Sequence, residues 1–436
     1  MKTVAFHTLG CKVNHYESEA MIDLFAKAGY QVVDFAAQAD IYVVNTCTVT
    51  NEAARKSRQL TRRAKRRNQE AMVVMVGCYP QVSPGEAGEI EGVDLVVGSA
   101  NRHKIVDYVE GVRSGLDPGF ALLHRDELVD FEDLKVEEWR ETTRAYVKIE
   151  EGCNQFCSYC IIPYARGPVR SRKPELVVAE VEKLVAQGVR EIVLTGTHLG
   201  AYGSDWRCAD SLVKLLQALV KIDRLSQIRL SSIEVLEISD ALLELLAGED
   251  KLCPHLHLPL QSGCDQILEQ MKRPYRTEQF REIVNKVRQR LTDPAITTDV
   301  IVGFPGETEQ YFRESFNFIK EMAFSRLHVF PFSPRAGTPA ARMGEQVSPA
   351  TKKAYSRELL DFNKKLMLNY QRRFIGQVRP VIIEEKRDAE TGLLVGISDN
   401  YLRVLIDDQE QYQGKLNRVQ LIKSYNYENA LGKIVR

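Results

Sequence analysis

The 436-residue sequence has no long apolar run and no excess of charge of either sign. No apolar stretch approaches the roughly 18–20 residues that span a bilayer, and the first residues turn polar too early for a secretion signal. Lysine and arginine total 59, as do aspartate and glutamate, so bulk charge indicates no polyanionic partner. With 44% hydrophobic and 27% charged residues the chain is typical of soluble globular proteins. These absences predict a cytoplasmic protein without membrane segments. The length predicts two to four domains, and a monomer is the default expectation.

A fourth cysteine is missing from the most cysteine-rich stretch of the chain. In "GCNQFCSYCIIP" three thiols are spaced CxxxCxxC at Cys153, Cys157 and Cys160, and the next histidine is the distant His198. A structural zinc site normally closes with four Cys or His ligands, which disfavours zinc here. A four-iron four-sulfur cube held by three cysteines keeps one iron open for an external ligand. The spacing therefore predicts a 4Fe–4S cluster with a vacant coordination position.

Three further cysteines each follow a short valine-rich run. Cys11, Cys47 and Cys78 come directly after the runs at 2–9, 41–45 and 72–76, which are separated by helix-like segments. This alternation predicts a parallel sheet, whose strands end along one edge where ligands bind. We expect these three thiols to converge there.

The remaining pattern predicts an α/β multidomain chain. A polar, partly acidic connection follows the first sheet, and six strand–helix units then indicate a partial (β/α)6 barrel of the TIM type. Short alternating strands with Gly, Asn and Asp turns close the chain as a small β-barrel. The predicted segments are an N-terminal open parallel α/β domain, a linker, the partial barrel and the small barrel, at 1–112, 113–140, 141–370 and 371–436.

One segment carries strong local charge. "RKSRQLTRRAKRR" has eight cations and no acid in thirteen residues and includes Arg62, Arg63, Arg66 and Arg67. A solvated helix face is the alternative, but such faces usually mix both signs. We therefore expect a surface that contacts phosphates.

The cysteine loop resembles that of the radical S-adenosylmethionine (SAM) superfamily, whose motif is CxxxCxΦC with an aromatic residue at Φ, here Tyr159. The resemblance implies that SAM fills the open iron and yields a 5′-deoxyadenosyl radical after electron transfer from an external donor. It also implies that Tyr159 lies against the adenine and that "LTGTHLG" binds the methionine amino group. The cofactor-binding residues expected from these barrel motifs are Tyr159, Thr195, Gly196, Glu234, Gln261, Asp299 and Gly303.

With the N-terminal motifs added, the whole chain is similar to the methylthiotransferases. "TLGCKVNHYES", "VVNTCTVT" and "VMVGCYPQ" match the segments by which that family holds a second 4Fe–4S cluster on Cys11, Cys47 and Cys78. The resemblance implies two clusters, two SAM molecules per turnover, catalytic roles for all six cysteines, and an RNA-binding TRAM barrel at the end of the chain.

The same resemblance implies the substrate. Members of the family act on isopentenyladenosine-37 of tRNA, on ribosomal protein S12, or on N6-threonylcarbamoyladenosine-37. The "TLGCKVNHYES" opening is similar to the third group, which implies 2-methylthiolation next to the anticodon of tRNAs that read codons beginning with A. A non-catalytic iron–sulfur RNA-binding regulator is the alternative from a different class, although it has no use for the barrel motifs.

Some residues have both a functional and a structural interpretation. We expect contacts with the tRNA anticodon stem-loop from the arginines that follow the cysteine loop and from the last barrel, at Arg166, Arg170, Arg172, Tyr401 and Arg403. Cys208, Cys253 and Cys264 are expected to be structural, because free cysteine is commonly a small buried side chain. A zinc site on "CPHLHLP" is disfavoured, since its histidines belong to a core strand.

Overall fold

The computed structural model describes residues 1–116, 120–140, 143–407 and 410–435. Its first unit is a six-stranded parallel sheet in the order β2-β1-β3-β4-β5-β6, counted over these residues. The elements of this unit are β1 (Thr3–Thr8), α1 (Lys12–Lys27), β2 (Gln31–Val33), β3 (Ile41–Thr46), α2 (Asn51–Arg67), β4 (Met72–Gly77), α3 (Cys78–Val82), α4 (Pro84–Gly88), β5 (Leu95–Val97), α5 (Ile105–Arg113) and β6 (Phe120–Ala121).

The centre of this sheet follows directly from its sequence. Every residue of β3 and β4 is buried, as expected for apolar strands covered by helices on both faces. The helix α2 begins where the Thr50 side chain accepts a hydrogen bond from the amide of Ala53 at 3.2 Å. The predicted strands and helices of this region are confirmed, and β1, β3 and β4 are neighbours in the sheet.

The second unit is the predicted partial barrel. Two parallel sheets, β7-β10-β11 and β12-β13-β14, are joined by isolated bridges between Ile228 and Leu252 and between Ser232 and His257. The elements of this unit are β7 (Arg144–Lys148), β8 (Glu150–Glu151), α6 (Ile162–Arg166), β9 (Arg170–Ser171), α7 (Pro174–Ala186), β10 (Glu191–Thr195), α8 (Ser211–Leu219), β11 (Gln227–Leu230), α9 (Asp240–Gly248), β12 (His255–His257), α10 (Asp265–Gln270), α11 (Thr277–Arg290), β13 (Ala295–Val302), α12 (Glu309–Met322) and β14 (Arg326–Pro331).

The last unit is the small closed β-barrel expected from the sequence. Its strand order is β15-β16-β17-β19-β18, with β17 and β19 parallel. The long helix that precedes it packs on β14. The elements of this unit are α13 (Pro349–Arg372), β15 (Val378–Arg387), β16 (Leu394–Ser398), β17 (Arg403–Ile406), β18 (Leu416–Ser424) and β19 (Asn429–Ile434).

The expected linker is more structured than its polar sequence suggests. The strand β6 lies in the first sheet, so that sheet extends past residue 112 into the predicted connection. Leu134, Val136 and Trp139 are buried in the core of the partial barrel. Their apolar side chains fix the connection between the two units, and the Tyr16 hydroxyl of α1 donates to the Leu134 carbonyl at 2.6 Å.

The helices of the described residues include none with both the length and the apolar character needed to cross a membrane.

The cysteine loop of the barrel depends on Gly152. Its φ is +94°, and a Cβ added there would lie 1.8 Å from the carbonyl oxygen of Pro168. Gly188 provides a matched case, because its φ is +112° but a Cβ would contact nothing within 4 Å.

We predict that Gly152→Ala destabilises the protein more than Gly188→Ala does. Backbone strain alone costs about 1–3 kcal/mol in each variant, and only Gly152→Ala adds a collision with backbone atoms. Thermal unfolding of both purified variants measures the difference. Equal melting temperatures would show that the loop accommodates the extra carbon.

Candidate active site

The N-terminal triad, Cys11, Cys47 and Cys78, lies at the carboxyl ends of three neighbouring strands, as expected. Each thiol follows β1, β3 or β4 within three residues. Cys47 interacts electrostatically with Cys11, and Cys78 interacts with both. Burial raises the pKa of Cys78 to about 12, although the charge of Arg166 opposes this shift. Parallel pairing thus brings together three cysteines that are distant in sequence.

A close approach of two loops completes this arrangement. Gly10 has a φ of +109°, and a Cβ added there would lie 2.9 Å from the Cβ of Cys47 and 3.3 Å from its sulfur. A side chain at position 10 would therefore separate the loops that carry Cys11 and Cys47.

The loop triad, Cys153, Cys157 and Cys160, follows β7 and the short strand β8. Burial raises the pKa of Cys160 to about 12, and the thiols of Cys157 and Cys153 add to this shift. Within the described ranges, no three Cys, His, Asp or Glu side chains are grouped as they would have to be around a single metal ion. A cube distributes its ligands over separate iron atoms, so the donors fit a cluster better than one zinc ion.

His198, distant along the chain, is close in space to the loop triad. Its Nδ1 lies 3.6 Å from the sulfur of Cys153, and its Nε2 lies 2.6 Å from Glu237. Burial lowers the pKa of His198, but the hydrogen bonds to Cys153 and Glu237 raise it to about 11. The sequence argument that excluded this histidine by distance was therefore wrong, since the turn after β10 returns it to the cysteine loop.

A buried ion cluster joins the first sheet unit to the barrel. The guanidinium of Arg166 donates from Nε to the sulfur of Cys78 at 3.0 Å and from Nη1 to Glu151 at 2.7 Å. It also donates to Glu17 and, at 2.6 Å, to Asn14 of α1. The residues of this buried ion cluster are Glu17, Arg102, Lys148, Glu151 and Arg166.

The carboxylates of the buried ion cluster are held ionised. Burial alone would raise the pKa of Glu17, but Arg102, Arg166 and Lys148 together lower it. Lys148 and the same arginines outweigh burial in the same way and lower the pKa of Glu151. Such charges are costly to bury unless each is paired.

Two adjoining cavities face the cysteines. The loop cavity, about 240 Å³, is lined by Tyr159, Cys160 and Gln261 together with Val49, which follows Cys47. The central cavity, about 570 Å³, is lined by Cys11, all six barrel strands or their ends, and Tyr401 of the last barrel. Asp299 and Phe330 line both. All three units therefore enclose one reaction space.

The expected SAM-binding residues divide into two sets. Those that line a cavity are Tyr159, Thr195, Gly196, Gln261 and Asp299. Glu234 pairs instead with Arg273, and the amide of Gly303 donates to Glu307. Neither Glu234 nor Gly303 lines these cavities in the part of the chain that is described. Their contacts with SAM stay predictions.

Two residues that the sequence reasoning missed support the loop triad. Arg273, buried after α10, donates from Nη1 to the sulfur of Cys157 at 3.4 Å. Glu150 accepts from the amide of His198 at 2.6 Å, and burial raises its pKa to about 8. A Cβ on Gly196 would lie 2.6 Å from Glu150, which explains the glycine there. The run "EEGC" was a usable signal for Glu150, and Arg273 lies in "LQSGCDQILEQMKRPY", a segment that is also similar to the methylthiotransferases.

The arginines after the cysteine loop are not available to RNA. Arg166, Arg170 and Arg172 are at most 4% exposed. Arg170 donates to the carbonyl of Leu128, and Arg172 donates to Asp133 at 2.7 Å. The prediction that they contact phosphate was wrong, because buried carboxylates and carbonyls already occupy these guanidinium groups.

The two residues predicted in the last barrel also have protein partners. Tyr401 stacks on His255 with ring centroids 4.0 Å apart, and Arg229 lies 5.1 Å from its ring. Tyr401 therefore closes the central cavity, which corrects its expected role as a platform for RNA bases. Arg403 donates to Asp388 at 2.9 Å.

The basic segment forms a groove, as a phosphate-contacting surface would require. Arg62, Arg63 and Arg66 are exposed on α2. They line a depression of about 990 Å³ that extends to His7 of β1 and to Leu9 in the loop after β1. Arg67 differs, because its guanidinium donates to the Phe35 carbonyl at 2.7 Å. This basic groove, lined by Lys56, Arg62, Arg63, Lys65 and Arg66, ends beside the Cys11 loop.

Comparison with known proteins agrees with this architecture. Residues 3–98 match the uncharacterized protein family UPF0004, and residues 147–319 match the radical SAM superfamily. The chain is 46% identical over its whole length, and over 97% of the relative, to a Bacillus subtilis protein named threonylcarbamoyladenosine tRNA methylthiotransferase MtaB. An Aquifex aeolicus protein of the same name is 39% identical over 95% of this chain and 99% of its own.

More distant matches follow the same pattern. A Pelotomaculum thermopropionicum protein named tRNA-2-methylthio-N(6)-dimethylallyladenosine synthase is 32% identical over 98% of this chain and 99% of its own. The solved structure of the radical SAM methyltransferase TsrM from Kitasatospora setae superposes with a TM-score of 0.60 at 17% identity, covering 78% of this chain and 75% of that one. This last likeness concerns the fold.

The barrel and its three-cysteine loop define a radical SAM enzyme, a class that uses SAM and a 4Fe–4S cluster. With the second triad on the N-terminal sheet and identity extending over the full chain, the protein belongs to the methylthiotransferase family.

We predict that Arg166→Met destabilises the protein by about 1–3 kcal/mol, because Asn14, Glu17 and Glu151 each lose a buried hydrogen bond while Arg102 and Lys148 still pair with both carboxylates. Thermal unfolding of the purified variant measures the loss. The matched control is Arg313→Met, which removes an exposed pair with Glu358 and should leave the melting temperature close to that of the wild type. Similar melting temperatures for both would contradict the importance of the buried ion cluster.

Proposed function

We propose that the protein converts N6-threonylcarbamoyladenosine at position 37 of tRNA to its 2-methylthio derivative. The observation that supports this most is 46% identity over the whole chain to a relative named for that modified nucleoside. Relatives named for dimethylallyladenosine also align end to end, at 32% identity in the Pelotomaculum protein. The higher identity favours the threonylcarbamoyl substrate.

The six cysteines have separate tasks in this proposal. Cys153, Cys157 and Cys160 hold the cluster that binds SAM, and Cys11, Cys47 and Cys78 hold the second cluster. When bound, SAM and the two clusters supply the radical chemistry and the methylthio group. An external donor provides the electrons.

The side chains around the cavities position the reactants and exclude water. The apolar walls of the loop cavity, which include Tyr159, Ile301 and Phe330, suit a planar adenine. Thr195 and Gly196 line the central cavity, and Gly196 approaches Glu150 of β8. Arg166 and Arg273 donate hydrogen bonds to a sulfur of each triad and stabilise negative charge on it.

The tRNA approaches along the basic groove in this proposal. Its anticodon stem contacts Arg62, Arg63 and Arg66, and the loop reaches the cavity beside Cys11. Exposed Tyr425 and Tyr427 leave part of the last barrel free to contact RNA. The enzyme works as a cytoplasmic monomer, and its nine free cysteines suit a reducing compartment.

The substrate is tested by nucleoside analysis of tRNA from a strain that lacks this gene. We expect 2-methylthio-N6-threonylcarbamoyladenosine to disappear and its precursor to accumulate. Loss of the dimethylallyl derivative instead would assign the other substrate. Reconstituted protein that forms no 5′-deoxyadenosine with dithionite and SAM, while holding both clusters, would support a regulator.

We predict that replacing the two triads one at a time separates two steps of the reaction, SAM cleavage and sulfur insertion. Alanine at Cys153, Cys157 and Cys160 should abolish SAM cleavage, whereas alanine at Cys11, Cys47 and Cys78 should spare cleavage and stop sulfur insertion. Each variant should retain about four of the roughly eight irons per chain. Product analysis and iron content are the measurements. Full product from the second variant would refute a second cluster on that triad.

We predict that Arg62→Glu, Arg63→Glu and Arg66→Glu together weaken tRNA binding and flatten its salt dependence. Each lost phosphate contact lowers the slope of log K against log salt by about one. Filter binding over a range of salt concentrations measures this slope. Glutamate at Arg313 and Lys320, exposed on α12, is the control and should leave it unchanged. An unaltered slope in the triple variant would make α2 an ordinary solvated helix.

A further inference from the structure

The central cavity contains an unpaired positive charge. Arg144 and Arg229 both pair with Glu191, and the Asp299 carboxylate lies 3.2 Å from Nε2 of the His257 ring. Lys12 also lines the cavity, and among the described residues no carboxylate lies within 4 Å of its ammonium. The cavity therefore carries a cation that has no carboxylate partner in the described part of the chain.

Buried polar atoms that line the same cavity also lack partners. The hydroxyl of Ser231 and Nδ1 of His255 have no hydrogen-bond partner in the described structure, although both residues are at most 7% exposed. Burial first, and neighbouring cations including Lys12 after it, lower the pKa of His255 well below its ordinary value. Its ring is therefore neutral, with its Nε2 at 3.1 Å from the Thr297 hydroxyl. An unpaired buried polar group destabilises the folded protein unless a ligand satisfies it.

These features fit one class of ligand. A carboxylate pairs with the ammonium of Lys12, and neighbouring hydroxyl or amide groups satisfy Ser231 and His255. A purely apolar substituent satisfies none of them and would strip water from Lys12 without compensation. The polar lining formed by Lys12, Ser231 and His255 is thus suited to an amino-acid-like group and unsuited to a dimethylallyl group.

We propose that the central cavity binds the threonylcarbamoyl group of the tRNA nucleoside, with Lys12 pairing with its carboxylate and Ser231 and His255 hydrogen-bonded to its polar atoms. This assignment rests on the proposed function and extends it, because it names the residue that selects the substrate. Lys12 follows Cys11 directly, so the contact also places the nucleoside beside the N-terminal triad.

The test is equilibrium binding of anticodon stem-loop RNAs to the holoenzyme without reductant. Three RNAs differ only at position 37: N6-threonylcarbamoyladenosine, its carboxyl methyl ester, and unmodified adenosine. Wild-type protein should prefer the free carboxylate over the ester by about 10- to 100-fold, as for a charged hydrogen bond. Lys12→Met should bind both equally, and Lys12→Arg should recover most of the preference. Lys320→Met, on the outer helix α12, is the matched control and should behave as wild type.

The outcomes separate the inference from the function on which it rests. If wild-type protein prefers the carboxylate and Lys12→Met keeps that preference, Lys12 is not the selecting residue, while the proposed substrate stands. If wild-type protein binds the three RNAs equally, the role of Lys12 and the proposed substrate are both overturned. Iron content and the electron paramagnetic resonance spectrum of Lys12→Met should match wild type. If Lys12→Met loses a cluster but keeps the preference for the carboxylate, Lys12 supports the cluster on the N-terminal triad and does not select the substrate.

Discussion

The buried pairing of Arg166 with Glu17 and Glu151 is the contact on which the site depends. Arg166 follows the loop triad in the chain, yet it donates to Cys78 of the N-terminal triad and to Asn14 of α1. The same guanidinium therefore ties the segment that follows the loop triad to the N-terminal triad. Burying these charges is favourable only while each is paired, so the arrangement tolerates little relative movement of the two units.

That constraint explains how three units of the chain form one reaction space. The N-terminal sheet supplies Cys11 and Lys12 at one end of the central cavity, and Tyr401 of the last barrel closes it by stacking on His255. The barrel strands between them line the walls. An enclosed site of this kind protects reactive species from water and strengthens the electrostatic contacts inside it.

Much of this organisation could be predicted because it follows from local patterns. Fully apolar runs predicted β3 and β4, and the position of each cysteine after a strand predicted that the N-terminal triad converges. The connection was mispredicted, since polar residues conceal that Leu134 and Trp139 pack into the barrel core. His198 was excluded by distance along the chain, which says little about distance in space.

The sequence by itself determined the order of the units, the two sets of three thiols and the basic helix, because strand periodicity, cysteine spacing and charge runs are local properties. Only the tertiary structure decided which charges are free. Arg66 and Arg166 look alike in the sequence, but one is exposed on α2 and the other is buried against carboxylates from distant segments. Pairing between distant residues depends on the fold, so the availability of a cation for a ligand, as at Lys12, is a property of the folded chain.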